Sequence, residues 1–206
     1  MPTKNLVVAP SQLVSTADAK AYLKVDHSDE DTLIDALVKS ATTRLEKYTN
    51  RVFATQTWDF YLDSWPRNYK SDLWWDGVRE GAVNQLYADL DEIEVPITPI
   101  QSVTHIKYFS PDDTEYTFDS ANYNVDSYSS PPRIKLGFGQ VWPSITLRTL
   151  NAVQIRVVAG YVSVPDPIVQ AVKELTGHLY EHRGDESVKV PSTPLMLVEA
   201  YRVKSL

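Results

Sequence analysis

The sequence predicts an α+β fold: a small helical bundle drawn from both chain ends, with a large antiparallel β-rich insertion between them. Three observations predict it. Apolar residues recur at helical spacing before residue 50 and after residue 165. Between these ends the apolar period shortens to two, and the strands are segregated from the helices rather than alternating with them. The segments that follow are 1–54 (helical), 55–162 (β-rich insertion), 163–190 (a C-terminal helix completing the helical core) and 191–206 (a tail).

The first helix begins at Ser15, where Ser15-Thr16-Ala17-Asp18 has the spacing of a capping box. Ala19, Tyr22 and Leu23 then give it one apolar face, and it should end near Val25. The second helix opens on Ser28-Asp29-Glu30-Asp31, which offers a cap and puts three carboxylates at the positive end of the helix dipole. Leu33, Ile34, Leu37, Val38, Ala41, Leu45 and Tyr48 make a continuous stripe over about six turns. Arg44, Lys47 and Arg51 fall toward the negative end.

Past Thr55 the pattern is that of strands. Trp58, Phe60 and Leu62 alternate with Thr57, Asp59 and Tyr61, which predicts a half-buried strand with the first set inward. Ile93, Val95 and Ile97 repeat the pattern, as do Ile134, Leu136 and Phe138, and then Val153, Ile155, Val157 and Ala159. Val103–Phe109 and Tyr116–Phe118 flank Ser110-Pro111-Asp112-Asp113, a predicted hairpin turn. Residues 64–81 have no usable period and read as a long loop, followed by a short helix around Val83, Leu86, Tyr87 and Leu90.

A last long helix is expected from Pro165-Asp166-Pro167, with Asp166 as N-cap and Pro167 at the first helical position. Its inward stripe is Ile168, Val172, Leu175 and Leu179, and Gly184 is the expected C-cap. Pro191 and Pro194 then set apart a final apolar segment, Leu195–Val203. No helix here can bury its stripe alone, so the helices are expected to pack on one another.

Composition narrows the function. The 206 residues contain no cysteine, which removes disulfides, thiolate metal sites and cysteine nucleophiles. The N-terminal apolar run, Leu6–Ala9, is too short for the core of a signal peptide. No stretch approaches the about eighteen apolar residues of a membrane span, so a soluble protein without membrane partners is expected. The net charge of −7 sits almost wholly in residues 55–162, which hold eight basic and fourteen acidic side chains. That balance argues against gripping a phosphate backbone.

No catalytic motif emerges, and neither an enzyme nor a cofactor is expected. There is no phosphate-binding loop, no dinucleotide fingerprint among the seven glycines and no G-x-S-x-G elbow. Gly137-Phe138-Gly139 reads as a strand end or turn. His178 and His182 share a helical face near Glu174 and Glu181, but no third ligand is indicated, so no metal is expected. The acid pairs Asp91-Glu92 and Asp112-Asp113 fall in predicted turns, where solvated carboxylates belong. Trp65, Trp74 and Trp75 crowd the unpatterned loop, which either folds back and buries them against the sheet or presents them as a contact surface, expected above all at Trp74-Trp75. They leave open a second reading, a carbohydrate- or receptor-binding β module.

A succession of short segments resembles one family. Ala17-Asp18-Ala19-Lys20-Ala21-Tyr22-Leu23-Lys24-Val25, followed by Asp29-Glu30-Asp31 and a long helix, is similar to the start of tailed-phage head–tail connector (portal adaptor) proteins. Further matches follow in order: Pro99-Ile100-Gln101-Ser102-Val103, Val157-Val158-Ala159-Gly160-Tyr161, Pro165 opening a helix, Tyr180-Glu181-His182-Arg183, and Leu195–Val203 with Tyr201-Arg202-Val203. The loop at 64–81 has no counterpart, and Val198-Glu199-Ala200 interrupts the leucine- and proline-rich form of the closing segment.

The resemblance implies a bacteriophage structural protein made in the host cytoplasm and built into the virion at the head–tail interface. Its copies would form a ring, commonly of twelve, beneath a portal protein. A tail-side stopper or terminator would dock on the other face, Trp65, Trp74 and Trp75 would sit at a contact between subunits or with that tail-side partner, and DNA would pass through the lumen without specific binding. It also implies that the closing segment, Leu195, Leu197, Val198, Tyr201, Arg202 and Val203, is a tail that reaches the portal. Deleting residues 195–206 is then expected to leave a folded chain unable to join the portal. An acidic insertion lining the lumen would keep DNA from sticking.

Overall fold

The structure is a computed structural model that describes residues 3–8, 12–66, 92–183 and 191–203. Its elements in chain order are β1 (Thr3–Val8), α1 (Thr16–Leu23), α2 (Asp31–Thr49), β2 (Gln56–Leu62), β3 (Glu92–Glu94), β4 (Ile100–Phe109), β5 (Glu115–Phe118), β6 (Tyr123–Asp126), β7 (Arg133–Leu136), β8 (Val153–Ala159), α3 (Asp166–Glu181) and α4 (Ser192–Glu199). This is an α+β fold with helices toward both ends and antiparallel sheets of five and three strands. Two compact units divide it. One comprises Met1–Val7, Thr57–Pro96 and Ser102–Val158; the other comprises Val8–Gln56, Ile97–Gln101 and Ala159–Leu206.

The helical unit is built on one core. Ile34, Val38, Ala41 and Leu45 of α2 meet Ile168, Ala171, Val172 and Leu175 of α3, with Val14, Ala19, Phe53 and Val198 closing the cluster. The stripe on α2 is shifted from the expected one: Leu33 is exposed, while Thr42 and Thr49 are buried. Each buried threonine donates its hydroxyl to the carbonyl four residues back, Val38 O at 2.8 Å and Leu45 O at 2.8 Å. Thr176 does the same to Val172 O at 2.7 Å. With the polar atom satisfied inside the helix, the methyl group packs like that of a valine.

Helix ends follow the sequence in part. Ser15 caps α1 by accepting from the Asp18 N–H at 3.0 Å, and its own hydroxyl donates to the Asp18 carboxylate at 2.6 Å. At α2 the expected cap moves. The N-cap is Glu30, without a side-chain bond to the helix, because residues 28–31 form a turn closed by Asp31 N–H to Ser28 O at 3.2 Å. At α3 the N-cap is Pro165 rather than Asp166, since the Pro165 carbonyl accepts from both the Ile168 and Val169 N–H groups. The expected cap Gly184 lies outside the described residues.

The largest departure is after Pro191. Residues 192–199 are not a detached tail but helix α4, which packs on α3 and α2. Pro191 supplies the N-cap and Pro194 sits in the first turn, where a missing N–H costs nothing.

In the other unit the five-stranded sheet has the order β1-β2-β8-β4-β5 and the three-stranded sheet the order β3-β7-β6. The 110–114 turn does join an antiparallel hairpin, with Ile106 opposite Phe118 and Phe109 opposite Glu115. β7 pairs antiparallel with β3 and β6, with Ile134 opposite both Ile93 and Val125. β8 buries Val153, Ile155, Val157 and Ala159 as expected. Phe138 departs from expectation: β7 stops at Leu136, and Phe138 stands fully exposed in the following turn. β1 has no place in the sequence reading, because Leu6-Val7-Val8 shows no alternation. The expected loop and helix between 67 and 91 lie outside the described residues.

Candidate docking surface

Helix α4 and the residues behind it form the first candidate surface, and the structure sorts its six expected contacts by depth. Val198 is fully buried in the helical core. Tyr201 stands edge-on to Tyr161 at 6.5 Å between ring centroids, and Val203 donates its N–H to Thr49 O at 2.8 Å. Arg202 lies over the Tyr48 ring at 4.8 Å, and the Tyr48 hydroxyl donates to Glu199. Leu195 and Leu197 are half-buried, whereas Met196 between them is 73% exposed. The segment is therefore clamped onto the helical core by the buried Pro194 and Val198. Hydrogen bonds from Tyr48 to Glu199, from Val203 N–H to Thr49 O and from Asn50 Nδ2 to Val203 O tie it to α2 and its C-cap, and it turns Met196, Thr193 and Ala200 outward.

The expected truncation changes meaning on this geometry. Removing residues 195–206 takes Val198 out of the core and Glu199 away from Tyr48, so it tests stability before it tests docking.

A second surface adjoins the first. Tyr22 and Leu23 of α1, Glu174 and His178 of α3 and Pro194 of α4 line a groove of 580 Å³. α1 approaches α3 closely here, because a side chain at Gly177 would stand 3.4 Å from the Tyr22 ring. At the far end of α3, Arg183 donates to Glu30 at 2.8 Å and the Tyr180 hydroxyl donates to the same carboxylate. Those two donors, Tyr180 foremost, hold the Glu30 carboxyl below its ordinary range. The His178 and His182 rings lie 4.5 Å apart between centroids, tilted by 33° to one another. Among the described residues no three His, Cys, Asp or Glu side chains converge as a metal would require.

Chemistry of another kind sits on the polar face of the five-stranded sheet. Asp59 on β2 is 2% exposed. It accepts from Arg156 Nε and Nη2, each at 2.7 Å, and from Gln154 Nε2 at 2.6 Å. Burial alone would raise the Asp59 pKa, but the guanidinium and the amide outweigh it and hold the carboxyl below its ordinary value. His105 on β4 is held low by burial, then by the cations Arg156 and Lys107. The sequence placed Asp59 on a solvated face; the partner that permits its burial lies 97 residues away. A carboxylate whose two oxygens both already accept hydrogen bonds from Arg156 and Gln154, beside an imidazole held toward its neutral form, is built as a structural network.

The tryptophans also divide. Trp65 is 8% exposed, stacked on Trp142 at 4.8 Å and set against Tyr108 and Phe118. Within this chain it holds the sheet's inner face rather than offering a surface to a glycan. Trp74 and Trp75 lie outside the described residues.

Set against known proteins, the sequence matches no family model and no curated protein. Its structure does match. A chain in the neck of an empty gene transfer agent (GTA) particle, computed with C6 symmetry, superposes with a TM-score of 0.76 at 21% identity, covering 99% of this chain and 97% of that one. This chain shares its fold with a GTA neck chain. A chain of the native GTA virion gives a TM-score of 0.75 at 21% identity, and one from the native neck computed with C12 symmetry gives 0.73 at 20%, each over 99% of this chain and 97% of the other. With coverage near complete in both directions, the likeness includes the helical ends as well as the sheets.

Proposed function

We propose that this chain is a structural subunit of a virion neck: a head–tail connector that assembles into a ring beneath a portal protein and links capsid to tail. The observation that carries the proposal is the end-to-end likeness to a chain in the neck of a GTA particle. The C6 and C12 symmetry of those necks supports a closed ring, and twelve copies is the number we favour. A ring subunit needs surfaces and a passive channel rather than a reaction centre, in keeping with the saturated network at Asp59. DNA would pass through the lumen without specific binding, and a tail-side stopper or terminator would dock on the opposite face. The protein would be made in the host cytoplasm and end in the virion.

The portal-facing surface would be the outer side of α4, with Leu195, Met196, Leu197 and Arg202 offered and Val198 holding the helix in place. Helix-in-groove contacts of this size use a few apolar anchors on one face. The test is electron microscopy of the purified chain mixed with the portal of the same particle. A closed ring on one face of the portal, α4 toward it, is the expected result. An intact portal that recruits no ring at saturating chain concentration refutes the proposal.

A further inference from the structure

β1 is the edge strand of the five-stranded sheet, and Lys4 through Val8 are all exposed. Leu6 is 41%, Val7 40% and Val8 54% exposed, so apolar side chains face outward on both sides of the strand. Solitary proteins blunt such an edge with charge, proline or a bulge, because its free N–H and C=O groups are a template for another strand. β1 has one charge, Lys4, and that ammonium is turned back to the Pro96 carbonyl at 2.6 Å.

The opposite edge has a different character. β5 pairs with β4 on one side, and among the described residues no strand pairs with its other side. Glu115, Tyr116 and Thr117 are exposed. Residues 112–119 contain Asp112, Asp113, Glu115 and Asp119 and no cation. Lys107 and Arg148 pair with Glu115 and Asp113, while Asp112 and Asp119 are met by uncharged donors. Two β5 edges would bring carboxylates together. A β1 edge, apolar with a single lysine, brings none.

One sheet thus ends in two unlike, complementary edges. A head-to-tail contact between unlike patches closes into a ring when the rotation per subunit allows it. We propose that β1 of one copy adds to the β5 edge of the next, so that the sheet continues across each subunit boundary. The occupant of the β1 edge is a second copy of this chain. The inference rests on the ring reading above, and goes beyond it by naming the two strands that meet.

The absence of cysteine makes the test direct. Full-length chains carrying Leu6→Cys, Val7→Cys or Val8→Cys are mixed in turn with chains carrying Tyr116→Cys or Thr117→Cys. They are assembled on the portal and mildly oxidised. These positions are exposed, and the set covers neighbouring registers. The expected result is a cross-linked dimer in at least one mixed pair, tenfold or more above either variant alone. Dimers from a β1 variant alone would mean β1–β1 pairing and overturn the inference. Rings visible on the portal with no cross-link in any pair would overturn it too, while leaving the neck reading intact. Failure of the unmodified chain to form rings on the portal would remove both.

Discussion

Arg156 and Asp59 offer a sharp test of how this sheet is held. Replacing Arg156 with methionine keeps most of the stem volume and removes the two 2.7 Å hydrogen bonds to Asp59. Were this a surface ion pair, the cost would be about 0–1 kcal/mol. The Asp59 side chain, however, is only 4% exposed, so the variant leaves a buried carboxylate with the Gln154 amide alone. Breaking a buried pair by removing one partner costs about 3–5 kcal/mol. We expect a value near the lower end, because Arg156 itself is 31% exposed and water can reach part of the gap.

The pH dependence supplies the sign. In the native chain the Asp59 pKa is lowered, so its contribution is present above the unfolded carboxylate value of about 3.9 and is lost as pH falls through the folded value. Without the guanidinium, burial prevails and pushes the carboxyl upward. The cost of Arg156→Met should then be largest at pH 7 and shrink as pH falls toward 4. Removing a cation beside His105 acts in the same direction. All five tryptophans lie between residues 58 and 142, so fluorescence during urea unfolding follows the sheet-bearing unit. Pairing Arg156→Met with Asp59→Asn should recover all but about 1 kcal/mol. A loss below about 1 kcal/mol at pH 7, unchanged at pH 4.5, would refute the argument.

Three other outcomes are expected. Glu46 accepts from the Phe53 N–H at 2.8 Å and Gln56 Nε2 at 3.0 Å, and burial raises its pKa; a raised carboxyl stabilises below its unfolded value and loses that contribution as pH rises. Glu46→Gln, which keeps an acceptor and no charge, should therefore equal or exceed native stability at pH 7 by on the order of 1 kcal/mol, with the gap closing near pH 4. Gly160 has φ of 114°, and a Cβ there would lie 2.3 Å from Ala54 O, so Gly160→Ala should cost about 3 kcal/mol or more by thermal or urea unfolding. Val198→Ala should cost about 2 kcal/mol, while Met196→Ala should stay within about 0.5 kcal/mol, which circular dichroism melts can separate.

What the sequence made legible was whatever local pattern decides. The stripes on α2 and α3, the alternation in β8 and the Asp112-Asp113 turn all announce themselves within a dozen residues. What it hid depends on distant partners. Asp59 reads as solvent-facing until Arg156 and Gln154 are brought beside it from β8. Thr42, Thr49 and Thr176 read as polar until their hydroxyls are seen bonded within the helix. Trp65 could be an exposed anchor or a ring folded back on the sheet, and Trp142, 77 residues on, is the distant partner that decides between them. β1 was missed because an edge strand exposed on both faces has no burial pattern to leave in its sequence.

The segment after Pro191 hid its helix for a different reason, and under the proposed docking role that helix alters the energetics of assembly. Pro191 and Pro194 look like a break, but a proline in the first turn of a helix loses no hydrogen bond, so the same residues can open α4. A disordered tail would have to be ordered on contact, which absorbs about 2–5 kcal/mol or more of the interaction. In this chain that ordering is done already by Val198 in the core, by Tyr48 on Glu199 and by the Val203 N–H on Thr49. A partner meeting α4 therefore meets a preformed surface. If α4 is the portal-facing surface proposed above, the core residues that fix its shape would contribute to docking through that preorganisation rather than through contact. Substitutions at Val198 and at Met196 should accordingly separate the two roles: the first loosens the surface and lowers stability together, the second touches only what a partner can reach.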